Sequence, residues 1–280
     1  MILTRHANLI VNGLLALTYP EPCVLCGSSV EDRAFFPACS GCWSKTRIFS
    51  GDEAACWKCG ALVTLQPTAI RNTSAATDEP QPSSLDVSPQ SLRSCSALIG
   101  QASPEEIRCH RCDAHEFQTA RACGLYEGAL RASVLHLKRQ PYLSKHLRSL
   151  LLTAARKFPL NTATRIIPVP LHPDRERRRG FNQAAIIARA ISPRLGLPVD
   201  ELSLTRIVAS EKYRAGLDAK GRHDTVARAF AVRLPKLIEG ESILLLDDVF
   251  TTGATATSCA SVLLAAGALE VQVLTVARPR

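Results

Sequence analysis

Acidic side chains and aromatic rings are what this sequence is short of. Its 280 residues carry 25 Asp and Glu against 34 Lys and Arg, and Phe, Trp and Tyr make up only 5%. So few rings argue against a surface that stacks successive bases, which needs an aromatic face for each. No run of about 20 apolar residues occurs, which excludes an ordinary membrane-spanning helix. The opening MILTRHANLIVNGLLALTYPEP is broken by Asn, His and Gly, and no small-residue cleavage site follows. It is expected to be a packing helix rather than a signal peptide, and the chain to be cytoplasmic. The basic surplus is uneven: between residues 121 and 160, eight basic side chains face one acid, Glu127. That asymmetry suits a polyanionic or phosphorylated partner.

Cysteine, by contrast, is plentiful. Eight of the eleven fall into four Cys-x-x-Cys pairs: Cys23/Cys26, Cys39/Cys42, Cys56/Cys59 and Cys109/Cys112. Two thiolates at this spacing grip one ion from a single turn, and Gly27 and Gly60 let such turns close with amides facing sulfur. In a reducing compartment this favours structural zinc over disulfides or a redox pair. Consecutive pairing would give two ribbons and interleaved pairing a cross-braced module; spacing does not choose between them. Cys95, Cys123 and Cys259 are left as packing residues, and His110 and His115 find no vacancy if the sites are all-thiolate. Few apolar side chains lie before residue 60, so the metal itself is expected to serve as the core there. The stretch at about 61–107, rich in Ser, Thr, Pro and Gln, reads as a long disordered insertion. Residues 1–120 are therefore expected to form a zinc-ribbon-like module and residues 121–280 a second domain.

From residue 121 helical and strand patterns alternate. YEGALRASVLHLKRQP and LSKHLRSLLLTAARKF are helical, RIIPVPLHP is a strand, DRERRRGFNQ a loop crowded with arginine, and AAIIARAISPRLG a helix. LSLTRIV and RAFAV are strands either side of a polar loop, SILLLDD is the next, a helix spans about 255–266, and EVQVLTVAR closes the sheet. The fold class expected is α/β: a mostly parallel, doubly wound sheet with helices on both faces, preceded by the small Cys-rich module. Ligands of such sheets sit beyond the carboxyl ends of the strands, where DDVFTTGAT, DRERRRGFN and the loop around Arg214 would gather.

The string ILLLDDVFTTGAT is the most specific signal. A turn of Thr251, Thr252, Gly253, Ala254 and Thr255 that ends a strand and opens a helix gathers amides and hydroxyls suited to a phosphate. Asp247 and Asp248 would repel that phosphate but accept hydrogen bonds from the vicinal hydroxyls of a ribose. A Walker loop needs a lysine absent here, and a Rossmann fingerprint needs three spaced glycines where this turn has one. Direct metal binding by the two acids, and a solvated strand end beside an N-capped helix, are the competing readings.

That loop is similar to the phosphoribosyl pyrophosphate loop of type I phosphoribosyltransferases. Together with the four knuckles, LHLK at 135–138, IPVPLHPDRERRRGFNQ at 167–183 and AGL at 215–217, it resembles the ComF family, which includes the competence protein ComFC. The resemblance implies a zinc-bearing amino-terminal module on a phosphoribosyltransferase domain, a sugar-phosphate ligand, and a link to DNA uptake in natural transformation. By motif it implies that Asp247 and Asp248 take the ribose hydroxyls, the turn at 251–255 the 5-phosphate, and Arg175, Arg178 and Arg179 the leaving pyrophosphate. Asp247, Asp248, Arg178 and Arg179 would be catalytic; Lys138 and a mobile hood from Arg214 to Arg222 would assist binding. Relatives commonly carry Gln-x-Gly-Leu where this chain has Arg214-Ala-Gly-Leu, and an expected asparagine falls on Thr225, so substrate choice is open. The implied cofactors are structural zinc and Mg²⁺ with phosphoribosyl pyrophosphate, and single-stranded DNA and competence proteins are the implied further partners. The alternative is a non-catalytic adaptor that binds the ligand or single-stranded DNA.

Overall fold

The computed structural model describes residues 21–62, 107–109, 112, 114–157, 160–208 and 229–280. The expected opening helix, most of the stretch at 61–107, and Arg214, Arg222 and Thr225 of the expected hood lie outside the described residues.

A short helix, α1 (Ser40–Ser44), carries the second knuckle. There follow β1 (Thr119–Ala122), α2 (Gly128–Leu137), α3 (Lys145–Ala155) and β2 (Arg165–Pro168). Next come α4 (Pro173–Arg179), α5 (Gln183–Leu195), β3 (Leu204–Arg206) and β4 (Phe230–Val232). The last elements are β5 (Ser242–Val249), α6 (Ala254–Ala265) and β6 (Glu270–Ala277). The sheet has the order β1-β6-β5-β2 and every pairing within it is parallel. Residues 198–200 lie along the outer edge of β2, where Pro198 O accepts from Ile166 N and Ile166 O from Asp200 N. β3 and β4 form a separate antiparallel pair.

Parallel strands covered on both faces read as unbroken aliphatic runs. In β5, Leu244 and Leu246 enter one core while Ile243 and Leu245 enter the other; in β6, Leu274 and Val276 oppose Val271 and Val273 in the same way. The first core receives Leu130, Val134 and Leu137 of α2, Leu147 and Leu151 of α3, and Ile187 and Ile191 of α5. The second receives Ala256, Cys259, Ala260 and Leu263 of α6. The helices therefore cover both faces, as the alternating pattern predicts.

Two expectations need correction. DRERRRG is not a loop: it forms α4. His172 caps it by accepting from Asp174 N, Pro173 starts it, Asp174 and Glu176 lie in its first turn, three arginines lie in its last, and left-handed Gly180 ends it. Each of these complements a helix terminus, and together they outweigh the density of like charge. Nor is the metal the only core before residue 60. Cys23 and Cys39 pack with Val30, Ala38 and Trp43 into the first core, and Cys56 and Cys59 into the second. The cysteine-rich segment thus rests against both faces of the sheet. Its division from the second domain at residue 120 is a proposal about folding units.

Candidate functional site

The knuckles pair consecutively. Cys23, Cys26, Cys39 and Cys42 form one cluster and Cys56, Cys59, Cys109 and Cys112 another, with the four sulfurs of each within 4.8 Å of one another. The shortest separations are 3.7 Å for Cys23–Cys42 and 3.6 Å for Cys26–Cys39 in the first cluster, and 3.2 Å for Cys109–Cys112, 3.6 Å for Cys56–Cys112 and 3.8 Å for Cys59–Cys109 in the second. A tetrahedron with Zn–S bonds of about 2.3 Å spaces its sulfurs by roughly 3.8 Å, so both sets fit structural zinc. Their electrostatics agree. In the second cluster the hydrogen bond with Cys59 holds Cys56 down at about 4, whereas Cys59 is driven well above a normal thiol, first by that same bond and then by burial. Burial pushes Cys112 up to about 12. Four sulfurs so crowded ionise together only around a cation. The remaining described cysteines, Cys123 and Cys259, are buried in the two cores, as packing residues should be.

The rim at the carboxyl ends of β2 and β5 holds the second constellation. β5 ends on Asp247, Asp248 and Val249, and the turn at 251–255 leads into α6 with Gly253 at its N-cap. Gly253 has φ of +81°, a conformation that L side chains rarely adopt, and an added Cβ would meet the His115 ring at 2.8 Å. Thr251 and Thr252 are exposed, Ala254 and Thr255 half-buried. Thr252 Oγ1 accepts from Ala254 N at 3.4 Å. The first turn of any α-helix leaves N–H groups without intrahelical partners, so amides and hydroxyls gather here as an anion site requires.

The two acids differ. Asp248 is buried, ion-paired to Lys138 Nζ at 2.9 Å, and accepts from Gln183 Nε2 at 3.3 Å. Asp247 accepts from Asp248 N at 2.8 Å and lines a small cavity with Thr251, Gly253, Thr255 and Thr275. Burial first, and the neighbouring Asp248 charge second, push Asp247 up to about 8. Its carboxyl is therefore largely protonated at neutral pH, poised to change state when hydrogen-bond donors or a cation arrive.

Beside them Lys138, Arg139, Arg175, Arg178 and Arg179 line an open depression of about 480 Å³. Arg175 and Arg178 extend from α4 into solvent, while Arg179 is half-buried and donates to Gln183 Oε1. Burial, and then Arg175, lower the affinity of Arg179 for its proton. A polar chain thus runs Arg179–Gln183–Asp248–Lys138 and joins the basic depression to the acid pair. Asn182 fixes its middle: Nδ2 donates to Val169 O at 3.0 Å and Oδ1 accepts from Ala184 N at 3.0 Å. The structure brings Lys138, Arg175, Arg178, Arg179, Asp247, Asp248 and the 251–255 turn to one rim. Sequence reasoning missed Gln183, although it follows the N-cap asparagine of α5, and weighed His115 only as a spare metal ligand, not as a neighbour of the turn.

No family model matches the chain. It is 36% identical over 131 residues, 47% of its length and 56% of the relative's, to DNA utilization protein YhgH of Salmonella typhimurium. It is 36% identical over 129 residues, 45% of its length and 55% of the relative's, to Competence protein F of Haemophilus influenzae. A weaker match, 32% over 102 residues, covers 36% of this chain and 39% of Competence protein ComFC of Bacillus subtilis. The chain spans about half the length of the first two relatives. Among solved structures, a glutamine phosphoribosylpyrophosphate amidotransferase from B. subtilis superposes with a TM-score of 0.33 at 19% identity, over 51% of this chain and 27% of that one, too loosely to carry an argument. Two of these relatives, Competence protein F and Competence protein ComFC, bear names of the family that the motifs resemble.

Proposed function

We propose that the rim binds phosphoribosyl pyrophosphate or a closely related ribose 5-phosphate ligand, that the chain transfers the phosphoribosyl group from it, and that this activity serves DNA uptake or DNA utilization. The observation that carries the reading is the join between β5 and α6. There, an acid pair and a threonine-glycine turn at a helix N-terminus lie beside five cations. The names of the relatives support the biological setting.

In this reading the amides and hydroxyls at 251–255 take the 5-phosphate, favoured by the positive end of the α6 dipole. Asp247 accepts the ribose hydroxyls, which favours its ionised form. Arg175, Arg178 and Arg179 face the departing pyrophosphate and stabilise charge that grows as the bond to C1 lengthens. Mg²⁺ would supply charge neutralisation on the pyrophosphate, with Asp247 the rim acid that no described cation pairs. Departure leaves an oxocarbenium-like ribose, so anion stabilisation matters more than a strong base. The two cysteine clusters would hold structural zinc and set the rim in place.

A second reading is a binding protein without turnover, in which the same rim holds the ligand or the end of a single strand. The openness of the basic depression favours it, because five cations without a closed pocket suit an extended polyanion.

Purified protein is incubated with Mg²⁺ and phosphoribosyl pyrophosphate, with and without nucleobase acceptors, and binding and pyrophosphate release are followed. Binding with release supports transfer. Binding without release for any acceptor supports the second reading, and absence of binding removes both sugar-phosphate readings.

A further inference from the structure

We infer that His115 is a positioning residue for the phosphate turn, and that through it the second four-cysteine cluster holds that turn in its binding shape. The inference rests on the ligand reading above.

His115 is anchored on the cysteine side by its backbone. Its N–H donates to Cys112 O at 3.1 Å, and its carbonyl accepts from Nζ of Lys58, which lies between Cys56 and Cys59, at 2.7 Å. Both knuckles of the cluster therefore fix where the residue sits. Its side chain leaves in the opposite direction, toward the rim. His115 Nδ1 and Thr257 Oγ1 share a hydrogen bond of 2.8 Å in the first turn of α6. The ring stacks on Phe117 at 4.8 Å and 23°, and Phe117 in turn meets Phe250 edge-on at 5.8 Å and 83°.

Between those two anchors the ring fills the space a side chain at Gly253 would occupy. A Cβ there would stand 2.8 Å from Cε1 and 3.0 Å from Nε2 of His115, and 3.0 Å from Phe250 Cζ. The imidazole thus backs the left-handed residue of the turn, bonds the helix just after it, and leans through Phe117 on the residue just before it. Thr251 and Thr252 of the turn are exposed. Such a turn keeps its amides aimed at a ligand to the extent that the residue backing it is held rigidly. A four-thiolate knuckle is among the stiffest supports available to a short segment, which gives the cysteine cluster a role at the rim beyond general folding.

The test uses the full chain as wild type, His115→Ala and His115→Asn; the asparagine amide reaches the place of Nδ1 but offers no ring to stack. Three quantities are read: hydrogen exchange of the amides at 251–257 without ligand, the dissociation constant for phosphoribosyl pyrophosphate with Mg²⁺, and zinc content. For His115→Ala, exchange at 251–257 should quicken and binding weaken, each by about tenfold, with two zinc ions per chain retained and exchange in β5 and β6 unchanged. His115→Asn should recover part of both. Unchanged exchange and affinity in His115→Ala would overturn the inference, as would faster exchange throughout the sheet or loss of zinc, which would make His115 a general packing residue. If His115→Ala does not fold, His115→Asn and Thr257→Val are read by the same criteria. Failure of the wild type to bind the ligand would sink the sugar-phosphate reading, and the exchange measurement alone would then decide the role of His115.

Discussion

Lys138 Nζ stands 2.9 Å from Asp248 Oδ2, so the cation closing α2 and the second acid of β5 form one pair at the mouth of the rim. The pair neutralises a buried carboxylate that would otherwise face a phosphorylated ligand. Lys138→Met leaves that charge uncompensated. Affinity for phosphoribosyl pyrophosphate should fall by about tenfold and unfolding free energy by on the order of 1 kcal/mol, checked by calorimetric titration and urea denaturation.

The pH dependence of stability should carry the signature of Asp247. Its folded pKa is raised to about 8, so the folded chain holds a proton that the unfolded chain releases near about pH 4. This contribution is fully present below the unfolded value and is lost as pH rises through the folded one. Asp247→Asn has no such proton, so its stability relative to wild type should increase steadily between about pH 4 and pH 8 in urea titrations. A flat difference would show that the carboxyl is already ionised at neutral pH.

Metal content is the next prediction. Two separate clusters of four thiolates should yield two zinc ions per chain by elemental analysis. Removing them by strong chelation should unfold the chain, because structural zinc contributes about 10 kcal/mol or more and both clusters pack into the cores of the sheet. Cys56→Ser should lower the content to one ion.

Gly253→Ala probes the turn itself. The residue sits at φ of +81°, and the new Cβ would meet the rings of His115 and Phe250. A loss of about 1–2 kcal/mol in stability is expected from backbone strain alone, and ligand binding should disappear because the turn cannot keep its shape.

Much of this was legible before any coordinates. The aliphatic runs of β5 and β6 announce strands buried on both faces, and the acid pair followed by threonines and a glycine marks the end of β5 as a place for chemistry. Pairing of the knuckles was not legible, because the partners Cys56 and Cys109 are 53 residues apart and only the folded chain decides which turns meet. DRERRRG hid its helix behind crowded charge, although His172, Pro173 and Gly180 are ordinary helix boundary residues. His115 was noticed only as a spare metal ligand, and its place at the rim was hidden for a different reason. Its value lies in touching Thr257, 142 positions away, and no local spacing announces such a contact.

The turn at 251–255 is expected to hold a phosphate, and amide chemical shifts measured while ribose 5-phosphate is added put this to the test. The largest perturbations should fall on Thr251 to Thr255, saturate together, and vanish in Gly253→Ala. Perturbations confined to Arg175, Arg178 and Arg179, with the turn silent at saturation, would contradict it.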